Sequence, residues 1–445
     1  MNKKTHPGKL LNYPGRRWLP SELHLPDQTI DWLEAGRGAV GKDRSDHKSL
    51  GHGLEKALRQ APWAWPKRPV YFFGDPHADA DALVNSLVAA GVAKKTGAGT
   101  QAFRLTRRGR ASLLILGGDF LDKGPSLLRL LDVLQQLRAQ SPELILLAGN
   151  HDLRLLMGIG ILDRPRDRRT EHFFLRMGPK IVPFLKEVSD TFLQHKGALK
   201  GVPSHAECRR RLYPSDKWFR DFPGLAQWVM PEATVHKELD RMEKKLQRFE
   251  QACQQQGLGM RQVYAAAHRC RQLFLREGGA YHWFYQAMQL AHREGSFLFV
   301  HAGVDDRLAG LIERSGLDYI NHQFSEQVVN DPFEFYYGPL ANALRTKYRN
   351  TDMPLTAHGV KRLHRLGISA VVHGHRNRLN GQRLMLRQGL PHFECDTTLD
   401  CHSRRHEGLQ GPGAAATLID PQGFVLGISN DYPLAKLFQP HLPQT

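Results

Sequence analysis

The sequence predicts an α/β chain, with layered β-sheets flanked by helices and a large helical insertion. Three observations predict it. Short, near-continuously apolar runs recur from residue 70 onward: VYFF (70–73), SLLILG (112–117), ELILLAG (143–149), SFLFVHAG (296–303) and SAVVHGH (369–375). Runs of this length and texture read as strands buried on both faces. Helical periodicity fills gaps between them, as in Leu127, Leu128, Leu130, Leu131 and Leu134, and such alternation argues an α/β or layered core. Between about 155 and 295 the apolar runs give way to helical spacing.

Taken in order, residues 1–68 are rich in Gly, Pro and basic residues and read as an N-terminal basic arm packing on the core, with an amphipathic stretch from Leu54 to Leu58. Gly36, Gly38 and Gly41 satisfy G-x-G-x-x-G on paper, but they follow DWLEA rather than an apolar strand. The context a dinucleotide site requires is missing. Residues 69–154 form the first part of the core and 296–430 the second, ending in a hairpin of AAATLID (414–420) and FVLGIS (424–429) around PQG; 431–445 is a C-terminal tail. The intervening 155–295 reads as a helical cap. Its clearest helix starts at Pro231, a good first-turn residue, and carries Val235, Leu239, Met242, Leu246, Phe249 and Cys253 as one apolar stripe. Only about three heptads are present, so packing against neighbours is expected rather than a coiled coil.

Composition narrows the class. The chain has 445 residues, 41% hydrophobic, with 62 Lys+Arg against 44 Asp+Glu and a net charge of +18. That apolar content supports a real core. No uncharged run reaches the roughly 18–20 residues of a membrane helix, and no apolar stretch follows the lysines of MNKKTHPGKLLNYPG, so no secretory signal is read. Five cysteines without CxxC spacing argue against a disulfide framework. The reading is a reduced, cytoplasmic protein with no membrane role. The positive balance favours anionic partners. Its basic runs, Arg164 to Arg169, Arg209 to Arg211 and Arg404–Arg405, interleave with no aromatic residues in the manner of a nucleic-acid module, so nucleic acid is possible but not favoured.

The chemistry lies at the strand ends. They carry Asp75 and His77; Asp119, Asp122 and Lys123; Asn150, His151, Asp152 and Arg154; His301; and His373 and His375. Any one of these reads as a turn or a hydrogen-bonded core residue. Together, buried strands ending in uncompensated Asp and His would cost several kcal/mol each unless something binds them, and a pair of cations removes that cost. Carboxylates mixed with imidazoles suit first-row divalent ions such as Mn, Fe or Zn. One Asp can bridge two ions, and two ions can clamp both sides of an in-line displacement at phosphorus.

The ordered blocks GDPH (74–77), GDFLDKG (118–124), GNHD (149–152), HAG (301–303) and GH (374–375) resemble those of the calcineurin-like metallophosphoesterase superfamily, most of all its phosphoprotein phosphatase and diadenosine tetraphosphatase branch. The resemblance runs from residue 74 to about 429, leaving out the arm and the insertion. It implies that Asp75 and His77 bind one of two divalent ions, that Asp119 bridges, and that Asn150, His301 and His375 bind the other. It implies His151 as the general acid, oriented and kept protonated by Asp122, and attack by metal-bound hydroxide without a phospho-enzyme. Lys123 stands where that branch usually has Arg. It would meet phosphate as a point charge, and Arg154 would supply a bidentate fork. Ala78 stands where Gly is usual, with Pro76 inside the block, so the first loop is expected to differ. The second His of a G-H-x-H block falls at Asn377, which favours the phosphatase branch and makes His373 structural. His392, Cys395, Cys401, His402 and His406 cluster in sequence but fit no zinc spacing; a strand and loop near the site's rim is expected there. Glu334, Tyr336, Tyr337 and Arg345 read as a packed aromatic surface. The expected function is hydrolysis of a phosphomonoester, on a phosphoprotein or a small metabolite. The alternatives are a dinucleoside polyphosphate hydrolase, then a nucleic-acid phosphodiesterase or a non-catalytic nucleic-acid-binding protein.

Overall fold

A computed structural model describes residues 10, 13–37, 41–44, 47–60, 63–227 and 232–440. The chain divides into two compact units: Met1–Gly149 with Gln289–Asn321 and Asn342–Thr445, and Asn150–Met288 with His322–Ala341.

The first unit is built on two sheets. The larger runs Thr29–Asp31, Ala435–Phe438, Phe424–Ser429, Ala415–Asp420, Val70–Phe73, Leu113–Leu116, Leu144–Leu147, Met288–Gln289. Val70–Phe73, Leu113–Leu116 and Leu144–Leu147 are parallel, with Val70 opposite Leu113 and Leu114 opposite Leu144. The hairpin expected at 414–429 is present, Ile419 opposite Val425, and it joins Val70–Phe73 antiparallel. The second sheet runs Arg383–Arg387, Leu390–Glu394, Ala370–His373, Phe297–Val300, Ala291–Glu294, its central three strands parallel. Phe72, Ile115, Phe299, Val372 and Phe393 form one core between the sheets, with Phe72 and Phe299 stacked at 6.2 Å. Burying the apolar face of both sheets in this way fixes which strand ends come together, because parallel strands all present their carboxyl ends on the same side.

Residues 1–68 contribute to that core through Trp32, Leu50, Leu54, Leu58 and Trp63. The helix His47–Gln60 carries the predicted amphipathic stretch. Gly38 and Pro231, singled out above, lie outside the described residues. Ser126 caps the predicted helix Leu127–Gln140, accepting from the Arg129 amide at 3.1 Å. Asp79 likewise caps Ala80–Ala89, accepting from the Ala82 amide. The expected helical stretch gives way early: Met288–Gln289 and Ala291–Glu294 are strands. Ala291 is buried and Arg293 exposed on an edge strand, so no continuous apolar run announces it.

The second unit is helical. Helix Glu232–Gln255 buries Val235, Met242, Phe249 and Cys253 of the expected stripe, while Leu239 and Leu246 are half-buried. Trp218, Phe222 and Tyr337 surround the buried His172, whose Nε2 lies 2.9 Å from the Tyr337 hydroxyl.

Candidate metal centre

Two groups of side chains in the first unit place their ligand atoms within 4.8 Å of one another: Asp75, His77 and Asp119, and Asp119, His301 and His375. Asp75, His77 and Asp119 follow strands of the larger sheet; His301 and His375 follow parallel strands of the second. Asp119 belongs to both groups. Its Oδ2 lies 4.0 Å from His77 Nε2 and its Oδ1 lies 3.5 Å from His301 Nε2.

The imidazoles are held in one tautomer. A carbonyl oxygen only accepts, so the Nδ1–H of His77 donates to Leu121 (3.0 Å) and that of His301 to Gly117 (2.8 Å). Each ring thereby turns an Nε2 lone pair toward Asp119, which is how metal-ligating histidines are commonly fixed. The His375 amide donates to both oxygens of Asp75, at 3.2 and 3.1 Å, tying the two sheets together at the site. The backbone is strained here. His77, Ala78, Asp119, Asp122, Lys123 and His375 are six of the nine described non-glycine residues with positive φ, and such strain clusters at functional sites. Ala78, at φ 55°, adopts the left-handed conformation that explains why Gly is usual at that place in the block.

Two motif glycines are dictated by close approach. A Cβ on Gly149 would overlap Asp119, and one on Gly374 would overlap the Asp75 carboxylate.

The site also contains groups the sequence analysis missed. Asp396, buried just after the strand Leu390–Glu394, interacts electrostatically with Asp75 and Asp119. Burial, then the charges of Asp396 and Asp119, holds the Asp75 carboxyl well above its ordinary range. Burial likewise raises Asp396, against the pull of Lys123. Lys347 is pushed down by burial and by Arg349 and Lys123, while Asp119 and Asp396 favour its charge. Lys123 donates from Nζ to His77 Nε2 at 2.7 Å. The signal for Asp396 was present in the sequence only weakly: in HFECD, Phe393 and Cys395 alternate with polar residues and the stretch ends in a carboxylate.

The remaining candidates are placed as follows. Asp122 is buried in the first unit beside Lys123 in the chain. Asn150, His151 and Arg154 lie in the first turns of the helix Asn150–Gly160 in the second unit, with His151 buried. His373 is fully buried, its Nδ1 3.0 Å from the Gly374 carbonyl. It packs near His392 and Tyr348, and burial lowers its pKa to about 3. His392 lies on a strand, Cys395 is buried against Thr417, and Cys401, His402 and His406 sit on the helix Cys401–Glu407.

Three buried carboxylates, two imidazoles with fixed lone pairs and a third histidine suit divalent cations. Without them the carboxylates of Asp75, Asp119 and Asp396 repel one another in a desolvated site. The residues therefore fit the metal that the motifs imply, and the class is a metal-dependent hydrolase of phosphoesters. Residues 68–250 match the model of the calcineurin-like phosphoesterase family. Among solved structures, the chain is similar to a cold-active protein-tyrosine phosphatase of a psychrophile, Shewanella sp. That likeness has 14% identity and a TM-score of 0.42, over 84% of this chain and 80% of that one. It is also similar to a protein serine/threonine phosphatase from Saccharomyces cerevisiae with similarity to human phosphatase PP5. Here the identity is 11% and the TM-score 0.35, over 90% of this chain and 92% of that one. Likenesses this distant do not bear on the substrate. No curated protein matches the chain. No helix among the described residues is long and apolar enough to cross a membrane.

Proposed function

We propose that the protein is a phosphatase that hydrolyses a phosphomonoester at a two-cation site. The observation that supports this most is the shared carboxylate: Asp119 turns one oxygen toward His77 and the other toward His301. In this reading Asp75, His77 and Asp119 hold one ion, and Asp119, Asn150, His301 and His375 hold the other. Manganese, iron or zinc would suit this donor set and would supply Lewis acidity and an activated water.

The protein's own groups do the rest. Gly117 and Leu121 carbonyls keep the two imidazoles oriented, so the donor set is organised before substrate arrives. Lys123, and beside it Lys347, place positive charge where a phosphoryl group would enter. Charge stabilisation of this kind is the main service a protein renders to phosphoryl transfer. His151, oriented by Asp122, protonates the leaving oxygen, and Arg154 grips a phosphate oxygen. Asn150 and His151 directly follow Gly149 in the chain, and Gly149 is packed against Asp119.

The test compares p-nitrophenyl phosphate with bis-p-nitrophenyl phosphate, in added Mn, for wild type and His151→Asn. Monoester turnover that falls by about a hundredfold or more in the variant is expected for loss of a general acid. Diester turnover with little monoester activity overturns the proposal.

A further inference from the structure

The arginine runs conspicuous in the sequence are largely spent inside the protein. Arg166 pairs with Glu171, Arg168 with Asp221, and Arg169 with Asp331. Arg209 pairs with Glu250, Arg210 and Arg211 with Glu207, and Arg404 with Asp431. A different group of cations, in no ion pair among the described residues, lies on the first unit around the small antiparallel hairpin of Ala93–Lys95 and Phe103–Leu105.

On that hairpin Lys94 and Arg104 face each other directly across the strands, and both are exposed. Like charges in that arrangement destabilise a sheet, and neither side chain is within ion-pair distance of a carboxylate among the described residues. One groove beside the hairpin is lined by Lys94, Arg104, Arg107 and Arg110, and its lining contains no acidic residue. A second shares Lys94 and adds Arg16, Arg17 and Trp18, again without an acid. The segment carrying Trp18 is fastened to the hairpin: the Lys95 amide donates to the Pro14 carbonyl, and Gly15 lies so close to Lys95 that a Cβ would overlap its backbone. Trp18 is 39% exposed, with the Arg17 guanidinium 5.2 Å from its ring centroid.

We propose that this face is a docking surface for single-stranded nucleic acid. The lone cations supply phosphate contacts along two joined grooves, and the exposed indole supplies a stacking platform for a base. That is the combination single-strand binders use. An acidic polypeptide would satisfy the charges but leave the indole without a role. The inference stands apart from the phosphatase reading, since none of these residues belongs to the metal centre.

The test is fluorescence anisotropy of a labelled 20-nucleotide mixed-sequence DNA strand with the full-length protein, at several salt concentrations. Binding that weakens steeply with salt is expected. Lys94→Glu with Arg104→Glu should raise Kd at least about tenfold and shrink the log–log salt slope by about 1.4, for two single-strand phosphate contacts. Trp18→Ala should raise it by about fivefold or more. The milder Lys94→Gln with Arg104→Gln should fall between, and p-nitrophenyl phosphate turnover in every variant should match wild type. The proposal is overturned by no binding at 50 mM salt, by a double variant that binds like wild type, or by polyglutamate of equal charge displacing the DNA while Trp18→Ala has no effect. Loss of phosphatase activity in wild type, with DNA binding intact, would strike the proposed reaction and leave this surface standing.

Discussion

The ammonium of Lys123 donates to Nε2 of His77 at 2.7 Å. Because the other ring nitrogen is committed to the Leu121 carbonyl, a cation and Lys123 compete for the same lone pair. Metal loading is therefore expected to release Lys123 toward an incoming phosphate. Lys123→Met should tighten Mn binding while raising KM for p-nitrophenyl phosphate by about ten- to a hundredfold, the usual worth of a charged hydrogen bond. Titration calorimetry and steady-state kinetics on the same variant check both halves.

Asp396 gives an opposite pair of effects. Its carboxylate adds to a desolvated cluster that already holds Asp75 and Asp119. Asp396→Asn removes one buried charge and can still accept from the Thr398 amide. The variant should melt a few degrees higher than wild type in EDTA and bind Mn about tenfold more weakly or worse. Thermal melts with and without metal measure this.

Gly374→Ala tests the close packing at the site. The added methyl meets the Asp75 carboxylate, which is held in place by the His375 amide. Overpacking of this kind costs about 1–3 kcal/mol, and here the loss should appear first in metal affinity. A Gly224→Ala control, whose Cβ would meet nothing within 4 Å and whose backbone is not left-handed, should leave metal affinity unchanged.

His172 links stability of the helical unit to pH. Burial holds its pKa well below the ordinary 6.5, so the folded unit keeps it neutral while the unfolded chain takes up a proton. Its contribution is intact above about pH 6.5 and is lost progressively as pH falls below that value. His172→Phe should cost about 1 kcal/mol at pH 7 through the missing Tyr337 hydrogen bond. It should also flatten the fall in urea-unfolding free energy between pH 6.5 and 5 by up to about 1.4 kcal/mol per pH unit.

The centre was legible in the sequence because each contributing strand announces itself twice, by a continuous apolar run and by the polar residue that ends it. Asp75, Asp119, His301 and His375 were found that way. Asp396 escaped because the cysteines and histidines around it drew attention as an isolated zinc pattern. Its link to the site is a tertiary one: the Cys395 amide donates to the His373 carbonyl and so carries the strand's end toward Asp75. Lys347 has no such strand and no local signal at all. Charge was the least legible property. Runs of arginine were visible, but their carboxylate partners lie up to about 160 residues away, as Asp331 does from Arg169. The exposed cations of the hairpin come from single residues scattered between 16 and 110.

The central claim is that one carboxylate joins two cation sites, and Mn binding to the metal-free protein by titration calorimetry tests it most directly. The account predicts two Mn ions per chain in wild type, with both sites weakened together in Asp119→Asn. One ion per chain in wild type, or two undiminished ions in Asp119→Asn, would contradict it.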